Sequence, residues 1–183
     1  MIEDFLYRME DFAATGLRDR AMALACWEPP LSGAMDIRID SAGIWHHDGR
    51  PIRRQSLVRL LASVLRREDD GAYYLVTPAE KWRIDVDELP LLVVDCTLMP
   101  GTAPTFQLNL GYPVTATAQP PLRRHRLRDG EEIPSLPLPN GLAALFARAA
   151  WYRLAEQLEL QDGFFGVRHV GHFIALYRAG AAP

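Results

Sequence analysis

Between residues 73 and 112 the chain is cut into short segments by residues that cannot continue regular structure. This punctuation constrains the fold more than any other feature. The runs "YYLVT", "EKWRIDV", "LLVVDCTLM" and "TFQLNLGY" are separated by Thr77–Pro78, by Asp87–Pro90 and by "PGTAP". Each run is rich in β-branched and aromatic residues, and each is bounded by turn formers, which predicts successive strands. Upstream, "MDIRID" alternates Ile37 and Ile39 with Asp36, Arg38 and Asp40. Turns are expected at Ser41–Gly43 and at Asp48–Gly49, where Asp-Gly favours a tight hairpin.

Helical signals flank these strands. In "RRQSLVRLLASVLRRE", Leu57, Leu60, Leu61, Val64 and Leu65 recur at i, i+3, i+4, i+7 and i+8, predicting an amphipathic helix over residues 56–67. A second helix is expected through "NGLAALFARAAWYRLAEQLEL", with Asn140 as N-cap and Leu142, Leu145, Phe146 and Ala149 facing inward. Phe5, Met9 and Phe12 stripe a short helix over residues 2–13, and a further helical stretch runs to about Cys26. "LRRHRLRDGEEIPSL" reads as a hairpin, and "FFGVRHV" and "HFIALYR" as two closing strands. "HHDGRPI" and "LRDGEEI" both place Asp-Gly before an isoleucine and a helical pattern, which suggests one hairpin-then-helix motif used twice. The fold class is therefore α+β. The expected divisions are an N-terminal helical extension (1–25), an α+β domain (26–95), and a strand-rich C-terminal domain with one long helix (96–183).

The balance of 49% apolar and 23% charged residues is that of a globular protein, and 183 residues suffice for two small cores. A net charge of −3 with interspersed signs argues against general affinity for nucleic acid or an acidic membrane surface. The start is acidic and amphipathic rather than a secretory signal, and no apolar run is long enough to span a bilayer. Cys26 and Cys96 sit in apolar contexts, as expected of buried, reduced thiols in a cytoplasmic protein.

Nothing matches a recognised catalytic signature. No Gly-rich phosphate loop follows a strand, and no serine or cysteine has an evident histidine partner. His46–His47 and His169–His172 do not supply four ligands, so neither a metal nor a cofactor is expected, and His169 and His172 fall on opposite faces if their strand is continuous. Trp27, Trp45, Trp82 and Trp151 are read as core anchors.

One polar constellation stands out. Lys81 is the only lysine in a chain whose other cations are arginine. With Trp82, Ile84 and Val86 inward, Lys81 and Arg83 share the outer face of their strand. Taking "DELP" as a hairpin link, and matching Trp82, Ile84 and Val86 to Leu92, Val94 and Cys96, brings Asp95 onto that face as a cross-strand partner. An ammonium is compact where a guanidinium is a wide fork, so a retained lysine points to a tight recess. The expected ligand-binding set is Thr77, Glu80, Lys81, Arg83, Asp95 and Asn109. A lone lysine on a solvated strand face is the plainer alternative.

The segments "WEPPLSGAMDIRID", "GIWHHDGRPI", "LVRLLASVLRRED", "YYLVTPAEKWRI" and "NGLAALFARAAWYRL" resemble, in order, the bacterial family known as domain of unknown function 1285. The likeness runs from about residue 26 to residue 178. It implies two small α+β domains with rolled antiparallel sheets, flanking helices and a repeated motif. It also implies ligand binding or signal transduction, without catalytic activity. The chain departs from the family pattern at "GVRHVGHF", where a Trp-Ser-Gly-Gly stretch is usual. Three functions are therefore expected in turn. The first is a non-catalytic binder of an unidentified small molecule or protein. The second is an enzyme using Lys81 with Glu80 or Asp95. The third is an interaction module docking through its N-terminal helix.

Overall fold

The computed structural model describes residues 24–116 and 121–180. The helix expected over residues 2–13, and most of the one running to Cys26, lie outside the described residues. Leu24 and Ala25 are helical, and Cys26 after them is exposed rather than buried as expected, while Cys96 is partly buried. The described residues form two compact units. One runs to Pro90 and takes in Leu138–Leu142; the other holds Leu91–Pro137 and the chain from Ala143 onward. The protein is mostly β, and neither large sheet closes into a barrel.

The first unit is a six-stranded sheet in the order β3-β2-β1-β6-β5-β4. Its strands are β1 (Leu31–Ile39), β2 (Trp45–His47), β3 (Arg50–Pro51), β4 (Leu65–Arg67), β5 (Tyr73–Val76) and β6 (Lys81–Val86). Helix α1 (Gln55–Ala62) joins β3 to β4. Alternation does what it predicts in β1, where Met35, Ile37 and Ile39 are buried between exposed neighbours. All four residues of β5 are buried, so this strand is covered on both faces.

Helix α1 is shorter than its apolar stripe. Ser63 caps it through its N–H, which is shared between the Arg59 and Leu60 carbonyls, its hydroxyl donates to Leu60 as well, and the Val64 N–H takes the Leu61 carbonyl. Val64 and Leu65 stay buried, but Leu65 already belongs to β4. Strand pairing of Leu65, Arg66 and Arg67 with Leu75, Tyr74 and Tyr73 takes the last turn of the expected helix.

The second unit contains a six-stranded sheet in the order β10-β11-β12-β7-β8-β9. Its members are β7 (Leu91–Thr97), β8 (Thr105–Leu108), β9 (Pro113–Thr115), β10 (Arg123–Arg126), β11 (Glu132–Pro137) and β12 (Ala143–Phe146). Helix α2 (Arg148–Ala155) follows, and then a three-stranded sheet of β13 (Leu158–Gln161), β14 (Phe164–His169) and β15 (His172–Arg178). Aromatic contacts run through this core. Phe106 meets Phe146 edge-on at 6.1 Å, Phe146 meets Trp151 at 5.9 Å, and Tyr177 stacks on Phe165 at 5.2 Å.

The expected long helix from Asn140 is corrected here. Ala143–Phe146 is a strand, paired parallel to β7 and antiparallel to β11, and only residues from Arg148 onward are helical. Asn140 is no N-cap, since its φ of 59° is left-handed and its carbonyl accepts from the Arg67 N–H at 3.0 Å. Ala149 is exposed. The all-antiparallel expectation also fails, because β1 pairs parallel with β6 and β12 with β7.

The repeat suspected from the Asp-Gly turns is matched in element order but not in sheet arrangement, since the two strand trios share one sheet in the first unit and lie in separate sheets in the second. Each unit contains three strands, a helix and three more strands: β1-β2-β3-α1-β4-β5-β6, and β10-β11-β12-α2-β13-β14-β15. The two Asp-Gly turns are not equivalent within it. Asp48–Gly49 joins the second strand of its trio to the third, whereas Asp129–Gly130 joins the first to the second.

Candidate functional site

The six nominated residues divide between the units: Thr77, Glu80, Lys81 and Arg83 in the first, Asp95 and Asn109 in the second. The proposed β6–β7 hairpin does not exist. Strand β6 is flanked by β5 and β1, and β7 by β12 and β8, so "DELP" carries the chain from one sheet to the next. Lys81 and Asp95 are therefore not cross-strand partners.

Lys81 pairs instead with Glu68. Its Nζ donates to Oε2 at 2.8 Å and Oε1 at 3.0 Å, and it lies 5.0 Å from the centre of the Tyr74 ring. Arg66 donates to the same Oε1 through Nη2. Through Nη1 it also donates to the Trp27 carbonyl at 2.7 Å and the Leu24 carbonyl at 3.1 Å. These carbonyls close the helical stretch ending at Ala25, so a buried guanidinium caps that helix end. Leu24 packs beside Tyr74 and Val76. Burial works to raise the Glu68 pKa, but hydrogen bonds from Lys81 and Arg66 outweigh it and hold the carboxyl below its ordinary value. The group is thus an ion cluster that anchors chain to sheet, with Arg66 Nε left buried without a hydrogen-bond partner among the described residues.

Thr77 and Glu80 build the turn that delivers Lys81. The Thr77 N–H donates to the Glu80 carbonyl at 2.9 Å, and its hydroxyl oxygen accepts from the Glu80 N–H at 3.2 Å. The Glu80 carboxylate accepts from the Trp82 indole N–H at 3.0 Å. Arg83 is exposed, opposite Tyr74 in the ladder. A cleft of about 450 Å³ beside the cluster is lined by Ala25, Glu28, Arg66–Asp70 and Asn140.

In the second unit, Asn109 completes a ladder. Its N–H donates to the Leu92 carbonyl at 2.9 Å, while its Oδ1 accepts from the Leu92 N–H at 3.2 Å. Asp95 has a different setting. Leu91 and Val93 are the inward residues of β7, not Leu92 and Val94. The register against β8 then shifts between Val93 and Asp95, a bulge that resets the alternation and turns Asp95 outward. Its Oδ1 accepts from the Cys96 N–H at 3.0 Å and lies 3.6 Å from Arg153 Nη2.

Asp95 opens onto a pocket of about 470 Å³. Asp95–Thr97 at the end of β7, with Leu98 and Met99 just after it, form one wall and Val167–His169 of β14 another. Helix α2 supplies Ala150, Arg153 and Leu154, which are i, i+3 and i+4 on one helical stripe, and Gln157 follows in the turn beyond it. Ala150, Leu154 and Val167 are buried and make an apolar floor under polar groups. Burial, and next the Asp95 charge, raise the Cys96 thiol pKa, keeping it protonated and a poor nucleophile at neutral pH. His169 and His172 are cross-strand partners in the β14–β15 hairpin and share a face, because the chain turns between them. Among the described residues no group of three or more His, Cys, Asp or Glu side chains is placed to hold a metal. No described helix is long and apolar enough to cross a membrane.

Sequence reasoning missed Arg153, Arg168 and the α2 stripe. Only the stripe left a signal, masked because its helix was expected to start earlier.

A crystal structure of a DUF1285 family protein from Silicibacter pomeroyi DSS-3 is 36% identical, covering 90% of this chain and 96% of its own, with a TM-score of 0.71. The chain belongs to the DUF1285 family. A DUF1285 family protein from Shewanella baltica OS155 is 28% identical over 67% of this chain and 91% of its own, with a TM-score of 0.55. The sequence profile described as "Domain of unknown function (DUF1285), N-terminal domain" matches residues 23–89, which span the described part of the first unit's main segment. No curated protein matches the chain. In this DUF1285 protein, the pocket bounded by β7, α2 and β14 lies wholly beyond the residues matched by that profile.

Proposed function

We propose that this DUF1285 protein is a non-catalytic binder of a small molecule with a signalling or regulatory role in the cytoplasm, and that its ligand occupies the second unit's pocket. The supporting observation is the pocket's make-up. A concavity of about 470 Å³ sets a buried apolar floor of Ala150, Leu154 and Val167 under a polar wall that carries Asp95, Arg153, Gln157, Arg168 and His169, so a small molecule there would meet both apolar surface and orienting polar groups. Burial keeps the Cys96 thiol at the pocket protonated, which favours binding there over nucleophilic chemistry by that residue. Asp95 is the residue nominated from sequence that reaches this pocket. Thr77, Glu80, Lys81 and Arg83 support the fold of the other unit in this reading.

Heteronuclear NMR with a fragment library tests it. Binders should shift amide signals of Cys96–Met99, Leu154, Gln157 and Val167–His169. Fragments that consistently perturb the first unit instead would reject the proposed site.

A further inference from the structure

The pocket carries two arginines, and they are held to different degrees. Arg168 is fully occupied. Its Nε donates to Glu159 at 3.0 Å, its Nη2 to the Gln161 side chain at 2.7 Å and its Nη1 to the Gly171 carbonyl at 3.4 Å. Its charge is met by Glu159, which does not line the pocket. Arg153 is held at one end alone, where Nη2 donates to the Val94 carbonyl at 3.1 Å. Its Nε and Nη1 have no hydrogen-bond partner among the described residues, and its side chain is 58% exposed. Asp95 stands 3.6 Å from Nη2, beyond hydrogen-bonding distance, with the same oxygen engaged by the Cys96 N–H.

The bulge in β7 connects these facts. It exposes the Val94 carbonyl to Arg153 and turns Asp95 outward. A guanidinium splinted at one end loses less rotational freedom when it captures an anion, and its remaining donors form charge-assisted bonds. Below it lie Ala150, Leu154 and Val167, with Leu98 alongside, all apolar.

We propose that the ligand is a small organic anion, a carboxylate or phosphate ester with an apolar tail. Arg153 anchors its acidic head and the floor between α2 and β14 takes its tail. This rests on the proposed binding function and deepens it. Asp95 then opposes the ligand, a like charge beside the head group that sets affinity rather than supplying it.

The test uses the full chain and three matched probe series, read by calorimetry and NMR: hexanoate and octanoate, hexyl and octyl phosphate, and hexylamine and octylamine. The anions should bind, more tightly for the longer tail and less tightly as salt rises. Which head group binds better distinguishes carboxylate from phosphate. Arg153→Ala should weaken binding about tenfold or more. Asp95→Asn should strengthen it by roughly a few-fold, since it removes an exposed like charge. Neither side chain is buried, so both variants should fold, as circular dichroism would check. Amine binding that Asp95→Asn abolishes would overturn the anion assignment while leaving the pocket in place. Anion binding unchanged in Arg153→Ala would overturn the anchor. If none of the six probes binds, both the ligand class and the pocket reading fall.

Discussion

Lys81 holds both carboxylate oxygens of Glu68, at 2.8 and 3.0 Å, while Arg66 takes one of the same oxygens from the other side. This geometry gives a reason for the single lysine. One guanidinium already occupies Oε1, and a second planar fork would compete with it for the same acceptor. A compact ammonium shares the carboxylate without that conflict.

Lys81→Met keeps the stem and deletes the charge, leaving Glu68 short of a partner in a site where Lys81 is 15% exposed and Glu68 is 22% exposed. The expected loss is about 1.5–3 kcal/mol, the range for hydrogen bonds to charged groups. Lys81→Arg preserves the charge but should also lower the urea midpoint. An unchanged midpoint in Lys81→Arg would show that the site tolerates the fork and that the lysine is incidental.

Acid should weaken the first unit through the same carboxyl. Glu68 has its pKa lowered from the ordinary 4.5 by Lys81 and Arg66, so the unfolded chain takes up its proton more readily than the folded one. Its contribution is complete above the unfolded pKa and is lost as pH falls through the folded one. Glu68→Gln should flatten the stability profile below pH 4.5. Equal slopes for the two proteins in acid urea titrations would remove Glu68 as the source.

Leu61 is fully buried on α1, and Leu61→Ala should cost about 2–5 kcal/mol. Leu57, on the same helix but only half-buried, should cost less. Equal losses in the pair would mean that the apolar stripe is covered more evenly than its exposure implies.

The turn from residue 138 to 142 is docked against β4 with little room. A methyl group on Gly141 would lie 2.6 Å from the Arg67 carbonyl oxygen, at a residue whose φ is +70°. Gly141→Ala should therefore destabilise by more than about 1 kcal/mol, since it adds a clash to a disfavoured conformation. Asn140→Gly, at a similar φ without such crowding to relieve, should be close to neutral. A stable Gly141→Ala variant, judged by thermal unfolding, would show that the turn can lift away from β4.

The sequence pattern and the structure agree where structure is local and diverge where it is not. Strands β5 to β8 and the β10–β11 hairpin were legible because alternation and turn residues act over a few positions. "LAALF" was read as helix because a short apolar run looks alike as a buried strand, and the parallel partner that decides it, β7, is remote in sequence. The same remoteness hid the β1–β6 pairing, which occupies the edge of β6 that Asp95 was expected to share. Arg66 on β4 and Glu68 just past its end, two residues apart, left a readable signal beside Lys81. The pocket left almost none, since a bulge, a helix stripe and a hairpin only meet once the chain has folded.

The β14–β15 hairpin turns through Val170 and Gly171, with φ values of 48° and 80°. Glycine suits such a position, but a β-branched residue does not, because its Cβ crowds the backbone in the left-handed region. Val170 is also 81% exposed, so burial returns nothing for the strain. Val170→Asn places a residue that tolerates this conformation in a tight hairpin turn and removes an exposed apolar group. It should raise stability by about 1 kcal/mol, within the penalty attached to left-handed backbone for ordinary residues. Val170→Gly should gain less, because glycine gives up more freedom on folding. Thermal unfolding of the two variants beside the parent decides the matter. If both melt lower than the parent, the valine side chain makes a stabilising contact that its exposure conceals.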